Sequence, residues 1–347
     1  MPELLRKLNM KVQSHQYWLD VMNQSKYVKE SHDSYNNGQL IDLLQDRTAD
    51  LLGKQKALFF HKGIAAQLVV LKVAAQVKNN NKVILHPNGH IAVDENNAYQ
   101  VLMGLRGIEL GEAFKPFDAQ DVAKVSEQVS SLVVELPLRR AGFKLTPWNE
   151  LEKMQAWAKD TGTHFHMDGA RLWESTHYYQ KSLSEISALF DSIYVSFYKG
   201  LGGLSGAILA GDADFIEQCK IWRSRLAGDL YSAFPMLITA LEGLDNSLDE
   251  IPKFVIRAHE IAKILNNIKG VTVETPHTNG FLVYVEGNLQ ALNEKAQELT
   301  KKLNLSLFFR LMPTELIHIQ KAELQVGPGS KDITNHEIVD YFMQLIS

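Results

Sequence analysis

The segment YVSFYKGLGGLSGAILAG, residues 194–211, enters as a run of aromatic and β-branched residues, meets one lysine at 199, and then carries five glycines. The entering run predicts a strand. The glycines predict a turn whose backbone can pass close to a bulky bound group. Lys199 then falls where a strand ends, and two readings are open. It is a solvated turn residue, or it projects into a partly dry pocket. In such a pocket the ammonium loses hydration, its pKa falls, and the neutral amine can condense with a carbonyl.

Upstream lies THFHMDGAR, residues 163–171. On a strand, His164, His166 and Asp168 share one face, because side chains alternate with period two. Three readings follow. The two histidines and the aspartate suit a divalent metal. Alternatively Asp168 alone, at the strand's end, faces a cationic ring nitrogen, with Arg171 just beyond it for an anion. In the third, Asp168 caps the helix that follows. FFHKGIAAQ, residues 59–67, places Gly63 where a strand gives way to a helix, so free backbone N–H groups there can meet a phosphate. Lys62 adds charge. In HPNGHIAVDENNAY, residues 86–99, Pro87 and Gly89 forbid a regular helix that would bring His86 and His90 to one metal. Either His90 stacks on an aromatic ligand with Glu95 near enough to orient it, or it is a loop residue in water.

These segments alternate with helical patterns. Residues 40–52 have leucine and isoleucine at helical intervals, with Gly53 as the stop. Residues 146–162 predict a helix with Thr146 as N-cap, Pro147 in the first turn and Gly162 at the end. Short apolar strands alternating with helices predict an α/β protein: a large domain with a mostly parallel sheet, helices on both faces, and ligands at the C-terminal strand ends. Past residue 245 the pattern becomes strands such as GFLVYVEG and LSLFFRLM with interspersed helices, a smaller C-terminal α+β domain. The expected division is 1–245, including an N-terminal helical segment, and 246–347.

The bulk composition narrows the partners. With 347 residues, 45% hydrophobic, 22% charged and a net charge of −4, the chain resembles average globular proteins and gives no reason to expect nucleic acid or an anionic membrane. No stretch is apolar for long enough to span a bilayer or act as a signal peptide. The single cysteine, Cys219, forms no intrachain disulfide and fits a reducing compartment, so a cytoplasmic protein is expected.

Taken together, HMDGARL (166–172) and SFYKGLGG (196–203), with their key residues about thirty positions apart, resemble the threonine aldolase and β-eliminating lyase family of pyridoxal-phosphate enzymes, of the aspartate-aminotransferase-like fold. SYNNGQLIDLLQDRTADLLGK, KGIAA and GHIAVDENNAY agree in order with family segments, so the resemblance covers residues 31–211. It implies pyridoxal 5'-phosphate as cofactor and cleavage of a small β-hydroxy amino acid, of threonine or allo-threonine type, to glycine and an aldehyde. Lys199 would form the Schiff base, Asp168 would pair with the pyridine nitrogen, and His90 would stack on the ring with Glu95 beside it. Gly63 and Ile64 would give N–H groups to the phosphate, and Ser196 belongs to the same Ser-x-x-Lys segment. Arg171 would take the substrate carboxylate, and Tyr35 matches the family's substrate-side tyrosine. A homodimer or homotetramer is expected, β-elimination or transamination stands as the alternative chemistry, and outside the resemblance the alternative is a metallohydrolase using His164, His166 and Asp168.

The substrate side departs from that pattern. Where the family has Glu-Asn-Thr-His, this chain reads ELPLRRAG, residues 135–142, so Leu138 stands in the place of a histidine. Some members carry a Glu-Leu-Pro-x-Arg variant here. The family's second carboxylate arginine falls at ELQVGPGS, residues 323–330, where no arginine stands. Arg139, just past a strand end, is therefore the candidate for the missing charge. With Leu138 excluded, the base is His90, His166 or a phosphate-bound water.

Overall fold

The computed structural model describes residues 5–10 and 13–347. These divide into two compact units, residues 17–249 and a second made of 250–347 with the chain up to Gln16. This division differs from the expected 1–245 and 246–347 in that the described residues before 17 group with the second unit. Arg6–Lys7 pairs in parallel with Leu305–Ser306, and Leu8 is buried in the core of that second unit.

The larger unit is built on a seven-stranded sheet. From edge to edge its strands are Lys56–Phe60, Ala207–Gly211, Ser192–Ser196, His164–Gly169, Ser131–Glu135, Lys82–Leu85 and Arg106–Glu109. Ala207–Gly211 runs against both neighbours, and every other adjacent pair is parallel. The parallel strands therefore end on one edge. Ser192–Ser196 and Ser131–Glu135, on either side of the central strand His164–Gly169, are buried through almost their whole length, which explains their near-continuous apolar sequence.

The helix Gly63–Lys78 packs Val69, Val70 and Val73 into the core beneath the sheet. The helix Gln39–Leu52 stops at Gly53, as its sequence predicts. Trp148–Thr161 begins one residue later than predicted. Pro147 occupies its N-cap and leaves no side-chain cap, while Thr146 is buried and its carbonyl accepts from the Tyr179 hydroxyl at 2.6 Å.

In the second unit, Leu311–Pro313, Ile319–Gln325, Gly280–Glu286 and Val271–Val273 form an antiparallel sheet. The helices Ile251–Leu265, Leu289–Leu303 and Asn335–Ile346 contribute to the same core. The stretch LSLFFRLM is not one strand. Leu307 and Phe308 are buried in succession, which a pleated strand cannot do against a single face, so the chain bends between Leu305–Ser306 and Leu311–Pro313. Among the described residues no helix is long and apolar enough to cross a membrane.

Candidate active site

Lys199 lies three residues past the strand Ser192–Ser196, in the turn that leads to the antiparallel return strand. Gly202 carries φ of +71°, a conformation that needs glycine, and the Gly203 N–H closes the turn on the Phe197 carbonyl at 2.8 Å. Lys199 is not a solvated turn lysine. Burial strips its ammonium of water and, with the charge of Arg171 adding, holds its pKa below the usual 10.5. Asp168, Glu135 and Glu174 pull the other way, so five ionisable groups from three strand ends act on one another here. This answers the question raised by the opening segment: the glycines fold the turn, and the sheet holds the amine partly out of water.

Asp168 ends the strand His164–Gly169, is 2% exposed, and accepts from the Ala170 N–H at 3.2 Å. Glu135 is its register partner on the next strand. Both line one cavity with His86, Gly89 and His90. Glu135 accepts the His90 N–H at 2.8 Å on Oε2 and the Arg139 N–H at 3.2 Å on Oε1. Burial, reinforced by the charge of Asp168, pushes the Glu135 carboxyl up to about 7, while the two N–H donors oppose that rise. His90 is held from its side chain too, with Nδ1 at 2.8 Å from Glu95 Oε1. That bond raises the His90 pKa, and burial raises that of Glu95.

The metal arrangement does not form. His166 sends Nε2 to Gln67 Oε1 at 2.6 Å and Nδ1 to Ser192 Oγ at 2.7 Å, so both ring nitrogens are engaged between the sheet and the Gly63 helix. His164 bonds the same Ser192 hydroxyl and stacks on Phe215 at 4.4 Å. Among the described residues no three His, Cys, Asp or Glu groups gather as a metal site. The same engagement removes His166 from the candidate bases. Burial and its neighbour His164 hold it neutral, well below the usual pKa. His86 is likewise committed: Nδ1 accepts from Asn88 N–H at 3.0 Å, which leaves the Nε2 proton for the Lys115 carbonyl at 2.9 Å.

Arg171 is 14% exposed, with Nη1 at 3.4 Å from Glu174 Oε1 and the guanidinium 5.4 Å above the Phe143 ring. Arg139 joins the cluster through its backbone bond to Glu135. Its neighbour Arg140 turns away to Asp94, Nε to Oδ2 at 2.9 Å. Leu138, 1% exposed, offers no polar atom. Tyr35 is not brought together with these residues. It is 61% exposed, with φ of 48° and its ring edge-on to Tyr231 at 5.5 Å. Sequence reasoning missed Phe143, Glu174 and Tyr194, because each acquires its meaning from a contact that folding alone creates.

The chemistry of these residues suits pyridoxal phosphate. The Gly63–Lys78 helix opens without any side-chain cap at Lys62, leaving first-turn N–H groups for an anion. A Cβ at Gly63 would meet the Tyr194 hydroxyl at 1.9 Å, so the tyrosine closes over that helix end and only glycine fits beneath it. Ser196 Oγ is buried without a partner, and so is Arg171 Nε. The cluster thus holds an amine, a buried carboxylate, an imidazole and an anion-ready helix terminus along one sheet edge.

The beta-eliminating lyase family profile matches residues 20–288, more than half of the chain. The chain belongs to the beta-eliminating lyase family. Members of this family are pyridoxal-phosphate-dependent lyases. Low-specificity L-threonine aldolase 1 of Arabidopsis thaliana is 26% identical over 253 residues, covering 70% of each chain. Low specificity L-threonine aldolase of Escherichia coli K12 is 25% identical over 287 residues, 81% of this lyase and 85% of its own length. Among solved structures, a protein provisionally assigned as an L-allo-threonine aldolase from Listeria monocytogenes superposes with a TM-score of 0.93 at 34% identity, over 98% of this chain and 95% of its own.

Proposed function

We propose that this lyase binds pyridoxal 5'-phosphate at Lys199 and cleaves a β-hydroxy amino acid of threonine or allo-threonine type to glycine and an aldehyde. The observation that carries the reading is the desolvated Lys199 amine set among Asp168, Glu135, Glu174 and Arg171, in a chain whose relatives are named threonine aldolases. When bound, the cofactor supplies an electron sink for the Cα–Cβ bond electrons. Asp168 would pair with the ring nitrogen and keep it protonated, and His90 would stack on the ring, held by Glu95 at its side chain and by Glu135 at its backbone. Gly63 and Ile64 would present N–H groups to the phosphate, and the Ser196 hydroxyl, buried without a partner, would be a further donor.

On the substrate side, Arg171 takes the carboxylate and Arg139 supplies the second positive charge. His90 is the proton acceptor for the β-hydroxyl: with Nδ1 tied to Glu95, Nε2 receives the proton and the carboxylate stabilises the imidazolium. The chain works as a homodimer or homotetramer in the cytoplasm. The exposed aromatic group Tyr35, Tyr231 and Phe234 is the surface favoured for contact between copies, with Tyr35 contributing to substrate binding there.

The test is turnover of L-threonine and L-allo-threonine by the cofactor-loaded protein, with acetaldehyde and glycine measured together in equal amounts. Loss of both products in Lys199→Ala supports the assignment. Release of ammonia and a keto acid, without glycine, would place the protein in β-elimination instead.

A further inference from the structure

Glu174 follows Arg171 by three residues, and its side chain is 0% exposed. None of the steps above uses it. Oε1 lies 3.4 Å from Arg171 Nη1, long for a bond between full charges, which usually closes to under 3 Å. Oε2 has no partner, and neither has Arg171 Nε. A two-pronged arginine–carboxylate pair would close both atoms, but here both stay open. Phe143 supports the other side of the guanidinium, and it does so at φ of 59°, a backbone state that aromatic residues rarely adopt. Arg171 is therefore held between a ring face and a half-made ion pair, with hydrogen-bonding capacity to spare.

Resting on the assignment of Arg171 as the carboxylate partner, we propose that capture of a substrate carboxylate at Arg171 draws one proton from solvent onto Oε2 of Glu174. The charge count around Glu174 favours it, because Arg171 and Lys199 act on this carboxyl and Arg139 does not. A single guanidinium balances one carboxylate, and a second anion in the same dry volume is left without compensation. Protonating Oε2 forms one O–H bond at the expense of a solvent hydronium or buffer acid. It leaves Oε1 as a neutral acceptor for Nη1, and brings Arg171, Glu174 and the bound carboxylate to zero net charge. The charged groups acting on Glu174 are Arg171 on its own turn and Lys199 from the neighbouring strand end. Both favour the carboxylate, whereas burial opposes them and holds the carboxyl above its usual range. Asp168 and Glu135 act on Lys199. With the two tendencies opposed, one incoming charge shifts the balance.

The consequence is a binding affinity that falls as pH rises. Proton uptake on binding weakens the complex by up to tenfold per pH unit above the Glu174 pKa of the empty site. The probe is 3-hydroxybutyrate, which keeps threonine's hydroxyl and carboxylate but has no amine to react with the cofactor. Its Kd for the cofactor-loaded enzyme is measured by titration calorimetry over a range of pH, in buffers of differing ionisation enthalpy, so that protons taken up are counted directly. The parent is expected to take up close to one proton more than Glu174→Gln at the pH of greatest uptake. The pH slope of log Kd should flatten in the variant by up to one unit. Equal proton uptake in both, or a Kd shifted by one constant factor at every pH, overturns the proposal and leaves Glu174 a packing residue. Arg171→Ala separates the two layers. If it binds the probe as tightly as the parent, the carboxylate assignment fails first. Should Glu174→Gln not fold, infrared difference spectra of the parent decide. A protonated-carboxyl stretch appearing with the probe supports the proposal, and its absence overturns it.

Discussion

The Glu135 carboxylate and the His90 backbone are joined at 2.8 Å, and the second oxygen of the same carboxylate holds the Arg139 N–H at 3.2 Å. One carboxylate therefore fixes both the turn that carries the imidazole and the turn that carries the candidate substrate arginine. Glutamine has a single acceptor oxygen for these two donors. Glu135→Gln should leave one buried N–H unpaired and cost about 1–3 kcal/mol of stability. Urea unfolding would check this, and an unchanged midpoint would show that water replaces the lost partner.

The depressed pKa of Lys199 makes a stability prediction for the cofactor-free protein. A lysine whose folded pKa lies below its unfolded value binds fewer protons in the folded state between those two values. Stability therefore rises with pH across that window, from the folded pKa up to about 10.5. Lys199→Met has no ammonium to desolvate. The variant should be more stable than the parent at neutral pH, with the gap closing as pH approaches 10.5. A gap that stays constant with pH would mean that Lys199 is solvated in the folded protein.

Asp168→Asn tests the electron-sink assignment. The amide matches the carboxylate in shape, so the cofactor should remain bound, but it cannot hold the ring nitrogen protonated. Turnover should fall by about 10²-fold or more, the scale for removing one aligned electrostatic partner. Near-normal kcat in this variant would contradict the role given to Asp168.

The two adjacent arginines should behave differently. Arg140 is half-exposed and paired with Asp94, so Arg140→Ala should cost less than about 1 kcal/mol in any measurement. Arg139→Ala should weaken substrate binding by roughly 2–5 kcal/mol, the cost of removing one member of a buried charge pair. Equal, small effects at both positions would return Arg139 to the surface.

Much of this site was legible from local pattern. Short apolar runs and glycine-rich turns located the strand ends, and strand ends are where a parallel sheet places its chemistry. The pairing of His90 with Glu95 was within reach because five residues of chain separate them. The rest depended on contacts that no local pattern encodes. The alternation of His164, His166 and Asp168 suggested a shared ligand set. Gln67, from a distant helix, claims His166, while Asp168 faces Lys199 at the sheet edge. Thr146 looked like a cap, but the rigid φ of Pro147 makes the proline itself the boundary. Arg6 and Lys7 joined the second unit through pairing with residues 305–306, about three hundred positions away. Phe143 gave no hint of its positive φ, since nothing in a phenylalanine advertises that conformation.

The central claim is that Lys199, and no other lysine, carries the cofactor. Reduction of the loaded protein with borohydride, followed by peptide mass spectrometry, measures this directly. The account predicts loss of the visible absorbance band and a pyridoxyl mass on the peptide containing Lys199. A label on Lys62 or another lysine, or a protein that takes up no pyridoxal phosphate and shows no such band, would contradict it.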